Sequence, residues 1–199
     1  MEELYLKKLV IALGGNAILQ YGQKGTVEEQ FFNLIQASSK LAPIVSSWYQ
    51  VVITHGNGPQ VGNLLIQNER GKSEVPPMPL DICGAETQGQ IGYMLQQALS
   101  NELSRMGKVV EVSALLSMVV VDSGDPAFSN PSKPVGPWFS HEQMLAARKE
   151  EERWVEVPQK GWRKVVPSPK PVKIVGTRSI ETLLKDGRVV IACGGGGVP

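Results

Sequence analysis

Three glycine-rich turns hold the chemistry this sequence offers: Gly14-Gly15-Asn16, Gly56-Asn57-Gly58 and Gly194-Gly195-Gly196-Gly197. Each follows a short apolar run: Leu9-Val10-Ile11-Ala12-Leu13, then Val51-Val52-Ile53-Thr54 with His55 before the turn, then Val189-Val190-Ile191-Ala192-Cys193. Glycine after a strand lets the main chain take positive φ and approach an anion with no Cβ in the way. A helix that follows directs its positive end at the same anion. One such turn reads equally well as a tight structural turn. Three on one sheet edge point to a phosphate or an acyl phosphate. Neither standard nucleotide fingerprint accompanies them: no GxxxxGK(S/T) follows a strand and no GxGxxG opens a helix, HGNGPQVG at 55–62 only imitating the second.

The elements that must position these turns follow from periodicity. The three runs are continuous and β-branched rather than alternating, the pattern of parallel strands covered on both faces by helices. Residues 26–48 carry Val27, Phe31, Leu34, Ile35, Leu41 and Val45 at helical spacing, which makes a β-α-β unit with the first two strands. Residues 60–70 read as a helix broken by Pro76-Pro77-Met78-Pro79, and 81–106 as a long helix with Gly107 as its C-cap. Residues 108–112 and 117–121 read as further strands, and 177–185 as a helix closed by Asp186-Gly187 that feeds the last strand. The expected fold class is α/β, doubly wound, with a mainly parallel sheet.

Residues 125–166 have another character. They open with a proline-punctuated loop, DPAFSNPSKPVGPW, and continue into a charged helix where Ser140 and Gln143 have capping-box spacing. Residues 153–157 and 162–166 then flank Pro158-Gln159-Lys160-Gly161 as a hairpin. The expectation is a small lobe, 125–166, inserted into an α/β domain made of 1–124 and 167–199, with Pro167-Ser168-Pro169-Lys170-Pro171 as the stiff return.

Composition excludes several classes. The 199 residues are 42% hydrophobic and 20% charged, enough for one sizeable core. Twenty Lys plus Arg against nineteen Asp plus Glu leave a net charge of +1, which gives no bulk electrostatic reason to expect nucleic acid or a membrane surface as partner. Cys83 and Cys193 form no CxxC, so neither a disulfide framework nor a zinc site is expected, and a reducing cytoplasm fits. Acidic residues precede the first apolar run, and no stretch approaches the about 20 apolar residues of a membrane span, so the chain reads as unexported.

Six blocks carry a family resemblance: LVIALGGNA at 9–17, VVITHGNGPQVGNLL at 51–65, PLDICGAETQGQIGYMLQQAL at 79–99, DPAFSNPSKPVGP at 125–137, WRKVVPSPKP at 162–171 and VVIACGGGGVP at 189–199. They cover the chain in order, and the sequence closely resembles the carbamate kinases of the amino-acid kinase superfamily. That resemblance implies a three-layer α/β/α sandwich and a cytoplasmic homodimer. It also implies phosphoryl transfer between ATP and carbamate, often run from carbamoyl phosphate to MgADP in arginine catabolism, with Mg2+ bound through the nucleotide phosphates.

The resemblance assigns roles residue by residue. Gly14, Gly15 and Asn16 would hold the transferring phosphoryl, and Gly56, Asn57 and Gly58 would meet it and the carbamoyl group. Gly194, Gly195 and Gly196 would form the third phosphate-facing turn. Asn16 and Asn57 would each add an amide that donates to phosphate and accepts from the carbamate NH2, or else serve as residues tolerant of left-handed turns. Many relatives place a lysine two residues before the first Gly-Gly, where this chain has Ala12. Lys133, between two prolines on a stiffened loop, is the substitute, and the inserted lobe would act as a lid bringing it over the phosphoryl and excluding water.

Other residues are read more plainly. His55 is a general base or a turn-orienting hydrogen-bonder, and carbamate, already an oxyanion, favours the second. His141 is expected to be exposed, and Cys83 to be a small buried residue. Asp81 and Glu86 would cap the long helix or lie at a dimer face. Asp122 and Asp125 are turn-formers rather than metal ligands. By the resemblance, the adenine pocket and a catalytic Lys-Asp pair would lie in a C-terminal part beyond this sequence, which therefore reads as an N-terminal portion, inactive alone. Competing readings are a non-catalytic binding or dimerisation module, carbamoyl phosphate synthesis, or acetylglutamate kinase.

Overall fold

The computed structural model describes residues 7–47, 49–148 and 152–192. These fall into two compact units, one drawn from the described residues of 7–57, 85–118 and 175–192, the other from those of 58–84 and 119–174. The elements in chain order are β1 (Lys7–Leu13), a 3-10 turn (Gly15–Ala17), α1 (Val27–Val45), β2 (Tyr49–His55), α2 (Gly58–Gly71), α3 (Leu80–Arg105), β3 (Val112–Ala114), β4 (Met118–Val121) and α4 (Pro126–Ser129). There follow β5 (Lys133–Phe139), α5 (His141–Ala147), β6 (Arg153–Val157), β7 (Gly161–Val166), β8 (Pro171–Val175), α6 (Thr177–Lys185) and β9 (Val189–Ile191).

The first unit is built on a parallel sheet in the order β1-β2-β9-β3. Side chains of β2 and β9 alternate between two helical layers. Val51, Ile53, Val189 and Ile191 join Leu34, Leu41 and Val45 of α1 and Ile91, Leu95, Leu99 and Leu103 of α3 in one core. Val190 and Ala192 face the other way, onto Ile180 and Leu184 of α6. The α/β/α sandwich expected from continuous apolar runs is therefore present, with β9 buried on both faces. β1 departs from it: Val10 is 67% exposed, because β1 is an edge strand and only its inner face is covered among the described residues.

Local signals fix the helices. Thr26 and Glu29 form a reciprocal capping box that starts α1. The buried Gln30 and Asn33 of α1 then reach back, Gln30 Nε2 donating to the Gly25 carbonyl and Asn33 Nδ2 to the Ile18 carbonyl. α1 thereby ties down the loop that leaves the first glycine turn. On α3, a Cβ at Gly92 would lie 3.0 Å from that of Ala114, so the missing side chain lets helix and β3 pack closely.

The second unit holds α2, the antiparallel sheet β5-β7-β6, the pair β4-β8, and α5, which is started by the Ser140–Gln143 capping box. The β6-β7 hairpin has the expected place, and Gly161 explains its turn: φ is +100°, and a Cβ there would sit 2.5 Å from the Phe139 carbonyl oxygen.

Three expectations need correction. Of the expected strand 108–112 only Val112 is strand, the first residue of β3: Lys108 N–H closes α3 on the Leu103 carbonyl, Val109 is exposed, and pairing with β9 begins at Val112. The region expected as a proline-punctuated loop contains α4 and strand β5, because prolines are tolerated on an edge strand whose outer N–H groups have no ladder to join. The stiff return at 167–171 runs into β8, a strand the proline spacing concealed.

Candidate functional site

The register of the parallel sheet brings two glycine turns side by side. Leu13 pairs with His55, and the N–H of Gly56 donates to the Leu13 carbonyl at 3.2 Å, so both turns leave the carboxyl edge of the sheet at one level. A Cβ placed on Gly56 would meet the amide nitrogen of Gly15 at 3.8 Å. On the other side of β2, Ala192 N–H donates to the Ile53 carbonyl at 2.9 Å, so β9 ends beside β2 at this same edge. Gly194, Gly195 and Gly196, with Cys193, lie outside the described residues.

The glycines are not there for left-handed backbone. Gly14 has φ −65°, and Gly14, Gly15, Gly56 and Gly58 are all absent from the positive-φ residues, which corrects the sequence expectation. A Cβ at Gly14, Gly15 or Gly58 would find nothing within 4 Å. What glycine leaves at these turns is open room over bare amides. The carbonyls of Gly14 and Gly15 are taken by Ala17, Ile18 and Leu19 in the 3-10 turn, whose leading N–H groups have no partner within it. Among the described residues no acceptor meets the N–H of Gly14, Gly15, Asn16 or Asn57. Unbonded N–H groups at a strand edge suit an anion.

The polar side chains of the second turn face inward. His55 is 7% and Asn57 6% exposed, continuing the buried face of β2. His55 Nδ1 lies 3.4 Å from the Gly56 carbonyl, the turn-orienting contact expected, with the tautomer assigned so that Nδ1 donates. Burial pushes the imidazole below its ordinary value, and the Gly56 carbonyl opposes this more weakly. Asn57 Nδ2 donates to Thr87 Oγ1 of α3 at 2.8 Å. Neither Asn16 nor Asn57 has positive φ, Gln159 being the one such non-glycine residue among those described, so left-handed tolerance does not account for either asparagine. The exposed Asn16 stands within the 3-10 turn.

Sequence reading missed the contribution of α3. Thr87 and Gln88 are consecutive, buried and polar; Thr87 takes Asn57, while Gln88 accepts from Ser117 N–H at 2.9 Å and donates to the Ser117 carbonyl at 3.1 Å. Gln96, two turns on, accepts from Ala114 N–H. The signal available was Gln88, Gly92 and Gln96 at spacing four, which puts two amides and the close-packing glycine on one stripe of α3.

In the second unit, Gly58 opens α2, and Lys133 is the exposed first residue of β5, opposite Val166. Among the described residues Lys133 makes no ion pair. The strand that carries it is held by Arg163, whose Nε donates to the Gly136 carbonyl and whose guanidinium lies 5.0 Å over Trp138, and by Phe139 set edge-on to Trp154. Asp122 Oδ1 accepts from Gly124 N–H, and Asp125 caps α4 through Ala127 while accepting from Lys170 N–H. Those amides hold the Asp125 carboxyl below its ordinary value. Both aspartates are turn-formers, as expected. Cys83 is fully buried, and His141, Asp81 and Glu86 are exposed. No helix among the described residues is long and apolar enough to cross a membrane.

Comparison with known proteins gives this geometry a relation. A carbamate kinase of Thermococcus kodakarensis is 51% identical over 199 residues, 98% of this chain and 63% of that protein. The solved carbamate kinase of Giardia lamblia superposes with a TM-score of 0.91 at 41% identity, covering 97% of this chain and 63% of that one. A second structure of it, bound to AMP-PNP, gives 0.89. The chain thus spans just over three-fifths of the length of these relatives, 62–63%. The amino acid kinase family itself matches residues 7–199, all the described part included, and with glycine turns aligned on one parallel sheet edge the chain belongs to that family.

Proposed function

We propose that the protein is a carbamate kinase and that this chain binds its acyl phosphate. The reaction is ATP + carbamate = ADP + carbamoyl phosphate: a carbamate oxygen bonds to the γ-phosphorus as the bond to the leaving ADP oxygen breaks, or the reverse. The observation that carries the reading is the pair of adjacent turns at Gly14-Gly15 and Gly56-Asn57, where the N–H groups of Gly14, Gly15, Asn16 and Asn57 meet no acceptor among the described residues. Identity of 51% to a carbamate kinase supports the same substrate class.

Phosphoryl transfer asks little covalent chemistry of a protein, so positioning and charge stabilisation suffice. In this reading the N–H groups of Gly14, Gly15 and Asn16 take phosphoryl oxygens, and the Gly56-Asn57-Gly58 turn meets the phosphoryl and carbamoyl ends through Asn57 and Gly58, the Gly56 N–H being held by Leu13. Gly194, Gly195 and Gly196 complete the set by sequence. Lys133 is the catalytic cation, a role supported by its exposure and by the resemblance of NPSKPVGP to the family pattern. His55, buried and held below its ordinary pKa, orients its turn, and carbamate needs no base.

ATP and ADP are the nucleotide substrates, a reading supported by AMP-PNP in the Giardia lamblia enzyme. Mg2+ is carried on the nucleotide phosphates; among the described residues no group of three or more His, Cys, Asp or Glu is set to hold a metal ion. A cytoplasmic homodimer, making ATP from carbamoyl phosphate in arginine catabolism, completes the reading on the family resemblance. The test is ATP formation by the protein at its full encoded length from carbamoyl phosphate and MgADP, followed by a coupled assay. Steady ATP release is expected; phosphorylation of N-acetylglutamate without any turnover of carbamoyl phosphate would overturn the reading.

A further inference from the structure

The second glycine turn is anchored at both ends, and its two anchors belong to different elements. Gly56 gives its N–H to the Leu13 carbonyl of β1, and Asn57 gives its side-chain Nδ2 to Thr87 Oγ1 of α3 at 2.8 Å. Between the anchors lies the Asn57 N–H, which no acceptor meets among the described residues. Thr87 is fully buried, and the face of α3 around it packs Ile91, Met94 and Leu95 into the main core. A hydroxyl there is a poor choice for packing alone. It must be satisfied or it destabilises the fold, and threonine is also less favourable than leucine in a helix interior. Nor does Asn57 owe its identity to a left-handed backbone, since its φ is not positive. The pair makes sense as a link.

We infer that Thr87 is a positioning residue for anion binding: through Asn57 it holds the second turn so that the turn's free N–H faces the ligand together with those of Gly14 and Gly15. Thr87 touches no ligand itself. Its hydroxyl accepts from Asn57 Nδ2, which fixes the plane of the amide and, through the short asparagine side chain, the peptide that follows Gly56. Without the hydroxyl the asparagine is free to reorient, and what restrains the turn among the described residues is the Gly56 hydrogen bond and the His55 contact at 3.4 Å. A misplacement of that kind weakens binding without unfolding the protein, because Val is close to Thr in shape and leaves the surrounding core filled.

This inference rests on the acyl-phosphate reading only for its turnover arm, so the experiment has a binding arm as well. Full-length wild-type protein, Thr87→Val and Thr87→Ser are titrated with inorganic phosphate, the shifts of glycine backbone amides being followed by NMR, and assayed with carbamoyl phosphate and MgADP. Thr87→Val is expected to weaken phosphate binding and raise the KM for carbamoyl phosphate by about tenfold or more. Its KM for MgADP should stay at the wild-type value, and Thr87→Ser, which keeps the hydroxyl, should restore both. Equal phosphate affinity in wild type and Thr87→Val overturns the positioning role. So does an equal rise in both KM values, which a general loosening would give. Wild-type protein that binds phosphate but does not turn over carbamoyl phosphate removes the functional reading and leaves the titration to decide Thr87. Wild-type protein that binds no phosphate overturns both.

Discussion

Gln88 grips Ser117 by both sides of its peptide: the amide oxygen accepts from Ser117 N–H at 2.9 Å and the amide nitrogen donates to the Ser117 carbonyl at 3.1 Å, across 29 residues of sequence. One helical side chain thus takes the place of a neighbouring strand just beyond β3. Gln88→Ala removes both bonds from a buried position, and a loss of roughly 1–3 kcal/mol is expected. Urea denaturation measures it. An unchanged midpoint would show that the segment after β3 is held by other means.

Gly161 cannot carry a side chain. Its φ of +100° and the 2.5 Å approach of a Cβ to the Phe139 carbonyl oxygen mean that Gly161→Ala must shift either the β6-β7 turn or β5. Destabilisation of about 1–3 kcal/mol is expected, and it should concentrate in the antiparallel sheet. Hydrogen exchange read strand by strand will tell: faster exchange confined to β5, β6 and β7 agrees, whereas uniform loss of protection contradicts a local clash.

His55 gives a pH signature. Burial holds its imidazole below the ordinary 6.5, so the folded state binds fewer protons than the unfolded state between the two values. The stability this neutral histidine brings is complete above about pH 6.5 and is lost as pH falls below it, until the folded group itself protonates. The slope from one group is at most about 1.4 kcal/mol per pH unit. His55→Gln should flatten the fall in stability between pH 7.5 and 5.5 relative to wild type. Parallel curves for the two proteins would mean that other groups set the acid limb.

Lys133 is tested by activity with the fold as control. Lys133→Ala removes an exposed cation that forms no ion pair among the described residues, so the melting temperature should not move. If the lysine stabilises the transferring phosphoryl, kcat should drop by roughly 100-fold. Wild-type turnover in this variant would sink the role.

Much of the architecture was legible from the chain because its signals are local. Thr26 with Glu29 and Ser140 with Gln143 start helices through contacts three residues apart, and α6 from Thr177 to Lys185 stands where the apolar spacing and Asp186-Gly187 predict it. The continuous apolar runs determined that the strands would be parallel and sandwiched, and the glycines after them marked the edge where we place the ligand. Proline misled at β5, because the rule against proline in strands does not hold at an edge, and edge position is a property of the whole sheet.

Only the tertiary structure decided why the turns have their residues. The sheet order sets β9 between β2 and β3, and register sets Gly56 against Leu13; both are choices among pairings that the runs themselves would equally permit. The glycines proved to keep space rather than to bend the chain, which depends on what surrounds them. Asn57 and Thr87, 30 residues apart, and Gln88 and Ser117, 29 apart, meet because α3 packs its apolar face on the sheet and carries Thr87 and Gln88 to the strand ends. Local propensity reaches about four residues along a chain. The contacts that hold the candidate site are chosen by packing, which acts over the whole unit at once.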